Sequence, residues 1–244
     1  MTTVESLTLL DHLRELRERI LVSALAILMG TIACYAVYDK IVVILMKPFL
    51  NLHGSPTTLY VNSLFEGFAT KMHFSIVAGV ILTLPVHLYG LIRFVLPGLS
   101  SSEKRVLGWA LFASLVLSVF SVYMGYFYFI PAAVEILTGS DFVPTGVGVL
   151  LNFNQALFYV MNFMLYSMLT FQLPIVLEIL LYLNIISRRT LLRQSRFVIV
   201  VIFIIAAIVT PTPDVVNQLF IAVPLLLFYF ATLALAYVFK FGEG

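Results

Sequence analysis

The sequence predicts an all-α, polytopic membrane protein with six transmembrane helices, both termini cytoplasmic, and spans five and six short. Three observations carry that expectation. Of 244 residues, 61% are hydrophobic and only 11% charged, with a mean hydropathy of +1.07, whereas a globular domain carries roughly a quarter charged residues. The apolar residues fall into six runs separated by turn-forming and charged stretches. Lys and Arg gather at alternate gaps between the runs, the pattern that retains a loop on the cytoplasmic side.

The runs are Ile20 to Tyr38, Phe68 to Ile92, Val106 to Ile130, Gln155 to Leu183, Phe197 to Thr210 and Val215 to Phe239. Between them lie KPFLNLHGSP, LPGLSSSEKR, TGSDFVPTGVG, SRRTLLRQSR and TPTPD, each rich in helix breakers. Arg14, Arg17 and Arg19 precede the first run, and Arg93, Lys104 and Arg105 follow the second. Arg188, Arg189, Arg193 and Arg196 follow the fourth, and Lys240 ends the sixth. The opposite gaps hold Lys40, Lys47 and Lys71 among acids, which places both termini inside. A crossing takes about 20 residues of a core about 30 Å thick, so the whole chain, residues 1–244, is read as one integral membrane domain. The polar start followed by an apolar run without a small-residue cleavage site reads as a retained anchor.

The fifth run is fourteen residues and at 1.5 Å per residue rises only about 21 Å. It cannot cross an unperturbed bilayer. Pro211 and Pro213 tighten the following turn, so runs five and six read as a short hairpin in locally thinned membrane.

The composition excludes several function classes. A net charge of +2 is too small for nucleic-acid binding, and the single Cys34 offers neither a disulfide framework nor a metal cluster. His73 and His87 lack paired metal-ligand spacing. No GxxxxGK, HExxH or GxSxG string occurs, so no cofactor, metal or catalytic centre is expected. A six-span proton-coupled carrier of small solutes is the rival reading; such carriers show inverted repeats and broken helices at the midplane. The distinctive charges here sit instead at the cytoplasmic face.

Two acids there are not required by topology. Glu15 lies four residues before Arg19, the favourable order for an intrahelical pair. Glu103 follows Ser100 in S-S-S-E, a possible capping box. The second account of both is that two carboxylates at headgroup level receive guanidinium groups from a ligand through bidentate hydrogen bonds.

The string HLRELRERI, from His12 to Ile20, resembles the amino-terminal H-L-x-E-L-R-x-R signature of the TatC family, the multispanning core of the twin-arginine protein translocase. The resemblance continues in order through KPF at Lys47, FEGFATKMHF at Phe65, LPVHLYGLIRFVLPGLSSSEKR at Leu84, FQLPIVL at Phe171 and TPTPDVVNQ at Thr210. It implies a non-catalytic receptor for twin-arginine signal peptides on folded cargo, acting in a multimeric complex in the bacterial cytoplasmic membrane. It also implies single-span partners similar to TatA and TatB, and export driven by the proton-motive force. Carried over by motif, Glu15 and Glu103 would face the arginine pair, with Arg17, Phe94 and Leu99 shaping the same surface. Pro48, Phe68, Pro85 and Pro174 are read as structural. Thr210, Asp214 and Gln218 are read as the docking edge for a partner helix.

The sequence also departs from the family. Gln172 stands where the family often has Glu in the fourth span. Pro174 leaves the carbonyl of Thr170 without its helical partner, and the Gln172 amide is placed to satisfy backbone there. The turn TPTPD carries one residue more than the familiar TPPD. The proline familiar before Glu66 is absent. Glu178, at a position usually apolar, is expected to snorkel towards Arg188 or water.

Overall fold

In the computed structural model, residues 9–52, 55–95, 101–140, 142–144, 147–210 and 215–238 are described. The apolar runs form helices because every backbone N–H and C=O in hydrocarbon must be satisfied within its own segment. The first, α1 (Leu9–Leu45), runs on through the whole DHLRELRERI stretch. A short α2 (Lys47–Leu50) follows, then α3 (Glu66–Val95) and α4 (Ser101–Met124). A π-helical turn (Gly125–Phe129) joins α4 to α5 (Ile130–Leu137). Then come α6 (Phe153–Thr170), α7 (Leu173–Tyr182), α8 (Arg188–Arg193), α9 (Ser195–Val209) and α10 (Val215–Val238).

Five stretches are long and apolar enough to cross a membrane: Leu13–Leu45, Glu66–Phe94, Gly108–Leu137, Phe153–Tyr182 and Val215–Val238. The remaining apolar helix, Ser195–Ile208, is shorter, as expected of span five. Span six, expected to be short as well, is instead a full-length crossing of 24 residues, Val215–Val238, because Pro224 stays inside the helix and does not end it. The molecule is therefore an all-α polytopic membrane protein with five long spans and one short apolar helix.

Three boundaries differ from the sequence expectation, each for a local reason. Lys40 lies inside α1 and not in the gap after it, because nothing breaks the helix until the turn at Met46, just ahead of Pro48. The third span continues past Ile130 to Leu137. Pro131 has no N–H to offer, and the strain is absorbed by the π turn, where the Ile130 N–H reaches back to the Gly125 carbonyl. The fourth span is two helices. Pro174 ends the regular ladder, and Phe171 N–H to Ser167 O and Gln172 N–H to Leu169 O, at 2.9 and 3.1 Å, tighten the chain before α7.

α6 is the centre of the bundle: Leu157, Val160 and Phe163 are at most 1% exposed, and α6 packs on α3, α4 and α10. α1 and α3 are the most closely joined pair. They cross where Gly30 meets Gly79: a Cβ built on Gly79 would stand 2.6 Å from the Thr31 nitrogen, and one on Gly30 would stand 2.9 Å from the Gly79 oxygen. Small residues at a crossing let membrane helices approach closely, which supplies dispersion contact that lipid cannot. The outward faces are apolar, as Leu21, Leu25, Leu28 and Ile32 of α1 show, each more than half exposed; this is the surface lipid covers.

Of the structural positions, Pro174 is buried, Pro48 and Pro85 are half-buried, and Pro85 is accommodated inside α3. Phe68 is 64% exposed, because the inward face of α3 is set by Thr70 and Phe74 and places Phe68 outward.

At the end of the bundle opposite the arginine-rich start of α1, two short parallel strands, β3 (Leu59–Tyr60) and β4 (Leu151–Asn152), tie the α2–α3 connection to the start of α6. A separate antiparallel pair of two-residue strands, β1 (Asn51–Leu52) with β2 (Ser55–Pro56), precedes them. Glu66 locks this end. Its carboxylate accepts from the Asn62 N–H, from the Ser63 N–H at 3.2 Å and from the Asn152 side-chain amide at 2.7 Å. The Asn152 Oδ1 in turn caps α6 by accepting from the Gln155 N–H at 2.9 Å.

Candidate functional site

The arginine-rich end is built by the start of α1, the end of α3 and the start of α4. Because α1 is unbroken there, Glu15 and Arg19 sit one turn apart on a rigid frame, and Arg19 Nη2 donates to Glu15 Oε1 at 3.2 Å. Their side chains are about a quarter exposed, 25% for Arg19 and 27% for Glu15. Arg17 points to solvent or headgroups and Phe94 is half-buried.

Between α1 and α3 runs a groove of about 550 Å³, lined by Leu16, Arg19 and Ile20 on one side and by Leu88, Leu91 and Phe94 on the other, with Leu169 of α6 also lining it. Its lining is almost wholly apolar, with Arg19, Ser23 and His87 as polar members. The His87 ring is held by Thr83 Oγ1 at 2.9 Å. The structure thus brings Glu15, through Arg19, to the same groove as Phe94. Glu103 is the third residue of α4 and so belongs to the first turn at this end, where the helix dipole favours a negative charge. The Glu103 side chain and the whole of Leu99 lie outside the described residues.

Gln172 stands apart from this site, at the α6–α7 break. It is 5% exposed. Its Oε1 accepts from Ser114 Oγ at 2.5 Å, and its Nε2 donates to Ser118 Oγ at 2.8 Å and to the Met168 carbonyl at 3.3 Å. The carbonyl it reaches is one turn behind the amide itself, and so is not the Thr170 carbonyl that Pro174 leaves without a helical donor. One step further along the same seam, Ser121 and Ser167 pair at 2.8 Å. Ser114, Ser118 and Ser121 are at i, i+4 and i+7, one face of α4, so the spacing S-x3-S-x2-S marked a polar seam that sequence reasoning passed over.

The positions assigned to a partner edge are largely engaged within the chain. Gln218 Nε2 donates to the Phe203 carbonyl at 2.9 Å, tying α10 to α9. Thr210 is 8% exposed, and its hydroxyl donates to the Ala207 carbonyl at 3.3 Å. Asp214, with the rest of the TPTPD turn after Thr210, lies outside the described residues. A residue the sequence reading missed is Asn217, wholly buried, whose Oδ1 accepts from the Tyr159 hydroxyl at 2.7 Å. Arg188 lies over the Tyr237 ring at 5.4 Å, and Glu178 remains half-buried. Among the described residues no group of three or more His, Cys, Asp or Glu could hold a metal.

What this end offers chemically is a carboxylate that already accepts a guanidinium, set beside an apolar trough. The family model described as Sec-independent protein translocase protein (TatC) matches residues 11–224. The Sec-independent protein translocase protein TatC of Carboxydothermus hydrogenoformans is 32% identical over 236 residues, 96% of this chain and 94% of that relative. The chloroplastic TATC of Arabidopsis thaliana is 34% identical over 232 residues, 92% of this chain and 65% of that relative. A crystal structure of a twin-arginine translocase receptor, TatC, in DDM superposes with a TM-score of 0.81 at 31% identity, covering 92% of this chain and 98% of that one.

Proposed function

The chain belongs to the TatC family and is a receptor component of the twin-arginine translocase, not an enzyme; from that premise we propose that it binds the paired arginines of cargo signal peptides at Glu15 and Glu103. The membrane protein sits with six spans and both termini in the cytoplasm, in the bacterial cytoplasmic membrane, as one integral domain. The observation that carries the reading is the Glu15 carboxylate holding, at 3.2 Å, the guanidinium of Arg19, which lines the α1–α3 groove. A carboxylate so placed forms short, charge-assisted bonds to a planar fork of donors, and the trough lined by Leu16, Leu91 and Phe94 takes the apolar side chains that follow the arginines. Arg17 and Leu99 shape the same surface.

TatA- and TatB-like single-span proteins complete a multimeric complex, docking along α9 and α10 near Thr210, Asp214 and Gln218. The short α9 supports this edge, since a helix of fifteen residues rises about 22 Å and thins the bilayer around it. Gln172 serves structure, bridging α4 to the α6–α7 break.

A photoreactive residue at Phe94 tests the signal-peptide reading. It should capture a twin-arginine peptide, and capture should fall when Lys replaces both arginines, because Lys presents a point charge and not a fork. Capture only from positions on α9 and α10 would refute it.

A further inference from the structure

The Glu15–Arg19 pair has the chemistry of the complex the receptor is meant to form. We infer that Arg19 is a resident surrogate for the cargo arginine: its guanidinium occupies Glu15 in the empty receptor, and a twin-arginine peptide binds by displacing it. This rests on the reading of Glu15 given above.

The geometry of the pair is that of a placeholder. It makes one contact, Nη2 to Oε1 at 3.2 Å, longer than the 2.7–2.9 Å or so of a strong charge-assisted bond. A free guanidinium approaching from the membrane surface can improve on it with two parallel bonds. Arg19 is not simply an exposed charge folded onto its own helix. Its stem packs into the α1–α3 crossing, where its Cδ would lie 4.0 Å from a Cβ on Gly90. Its Nε is buried without a hydrogen-bond partner among the described residues, and the side chain forms part of the groove wall beside His87 and Phe94. An ordinary surface i, i+4 pair, contributing a few tenths of a kcal/mol to a helix, needs none of this burial. The neighbouring Arg14 and Arg17 are exposed, so they provide the charged background against which Arg19 can be compared.

The consequence is a threshold. A competitor fixed in the site divides the apparent affinity of every peptide by the same factor, so it leaves the preference for arginine unchanged but lifts the weakest ligands out of the working range. Peptides with a single arginine or with lysines are the ones excluded.

The test is fluorescence anisotropy of a labelled synthetic twin-arginine peptide on the purified full-length protein. Arg19→Gln should bind about two- to fivefold more tightly than the parent, the scale of releasing a partly exposed ion pair, and should bind the Lys-substituted peptide more tightly by the same factor. Glu15→Ala should weaken binding, and adding Arg19→Gln to it should give no gain. Arg14→Gln removes the same charge from a residue that makes no ion pair with Glu15 among the described residues and should tighten binding less. If Arg14→Gln tightens as much as Arg19→Gln, or if Arg19→Gln binds as the parent or more weakly while Glu15→Ala still weakens, the surrogate is refuted and the Glu15 site stands. If Glu15→Ala has no effect, both fall. Should Arg19→Gln not fold, Arg19→Lys decides: tighter binding than the parent supports displacement of a weaker occupant, and equal or weaker binding overturns it.

Discussion

Replacing Gly79 by Ala probes the joint on which the receptor face depends, because α1 carries Glu15 and α3 carries Phe94. The added Cβ would stand 2.6 Å from the Thr31 nitrogen, 2.8 Å from Thr31 Oγ1 and 3.0 Å from the Gly30 carbonyl carbon. Carbon contacts are comfortable at about 3.5–4.0 Å, and two of these three atoms are backbone, so no rotamer change relieves the clash. The helices must separate by about 1 Å, and overpacking of this kind costs about 1–3 kcal/mol. Gly67 and Gly108 serve as controls, since a Cβ on either meets nothing within 4 Å. Ala there should be neutral or stabilising by up to about 1 kcal/mol through helix propensity. Thermal unfolding of the purified protein in detergent, followed by tryptophan fluorescence or aggregation, should show Gly79→Ala clearly below the parent and Gly108→Ala at or above it. Equal midpoints for Gly79→Ala and Gly108→Ala would refute the argument that α1 and α3 are held by close backbone approach.

Three further outcomes follow from the same geometry. Gln172→Leu removes the amide between Ser114 and Ser118; interhelical bonds in membranes are worth about 0.6–1.7 kcal/mol, so unfolding should shift modestly while export, read by a reporter cargo, continues. Asn152→Ala removes both the α6 cap and the long-range arm of the Glu66 clamp; a lost cap costs about 0.5–2 kcal/mol, and hydrogen exchange at residues 57–66 and 151–156 should speed up while the arginine-rich end stays protected. Single cysteines along α9 should crosslink to a TatA- or TatB-like helix at Val200, Val201, Ile204 and Ile208, all 47% exposed or more, and not at Ile202 or Ala206, at most 5% exposed.

The long spans were legible because their ends carry punctuation: Pro, Gly and charge mark where hydrocarbon stops. What the pattern could not show was how far a helix runs beyond its apolar part. α1 extends past both ends of Ile20 to Tyr38, because polar residues such as Glu15, Arg19 and Lys40 are good helix formers in water and headgroups. The two internal breaks depend on how prolines are absorbed. Pro131 produces a π turn and Pro174 a stop, whereas Pro85 and Pro224 stay inside their helices, and neighbouring helices decide which. At the site, the acids were visible as charges without a topological purpose, and the i, i+4 spacing already paired Glu15 with Arg19. The groove beside them was not visible, since it arises from two helices meeting at glycines far apart in sequence. The Glu66 clamp had a local signal, Ser63-x-x-Glu66, half of a capping box. Its reach to Asn152, 86 residues away, had none.

In the proposed receptor, two carboxylates at the arginine-rich end, Glu15 and Glu103, read the cargo's arginines. The direct measurement is the affinity of a twin-arginine signal peptide for the parent protein, for Glu15→Ala, for Glu103→Ala and for the double variant. Each single change should weaken binding by about 1.5–3 kcal/mol, the value of a hydrogen bond to a charged group, and the double variant should no longer distinguish the twin-arginine peptide from its twin-lysine counterpart. A double variant that binds the twin-arginine peptide as tightly as the parent would contradict the account.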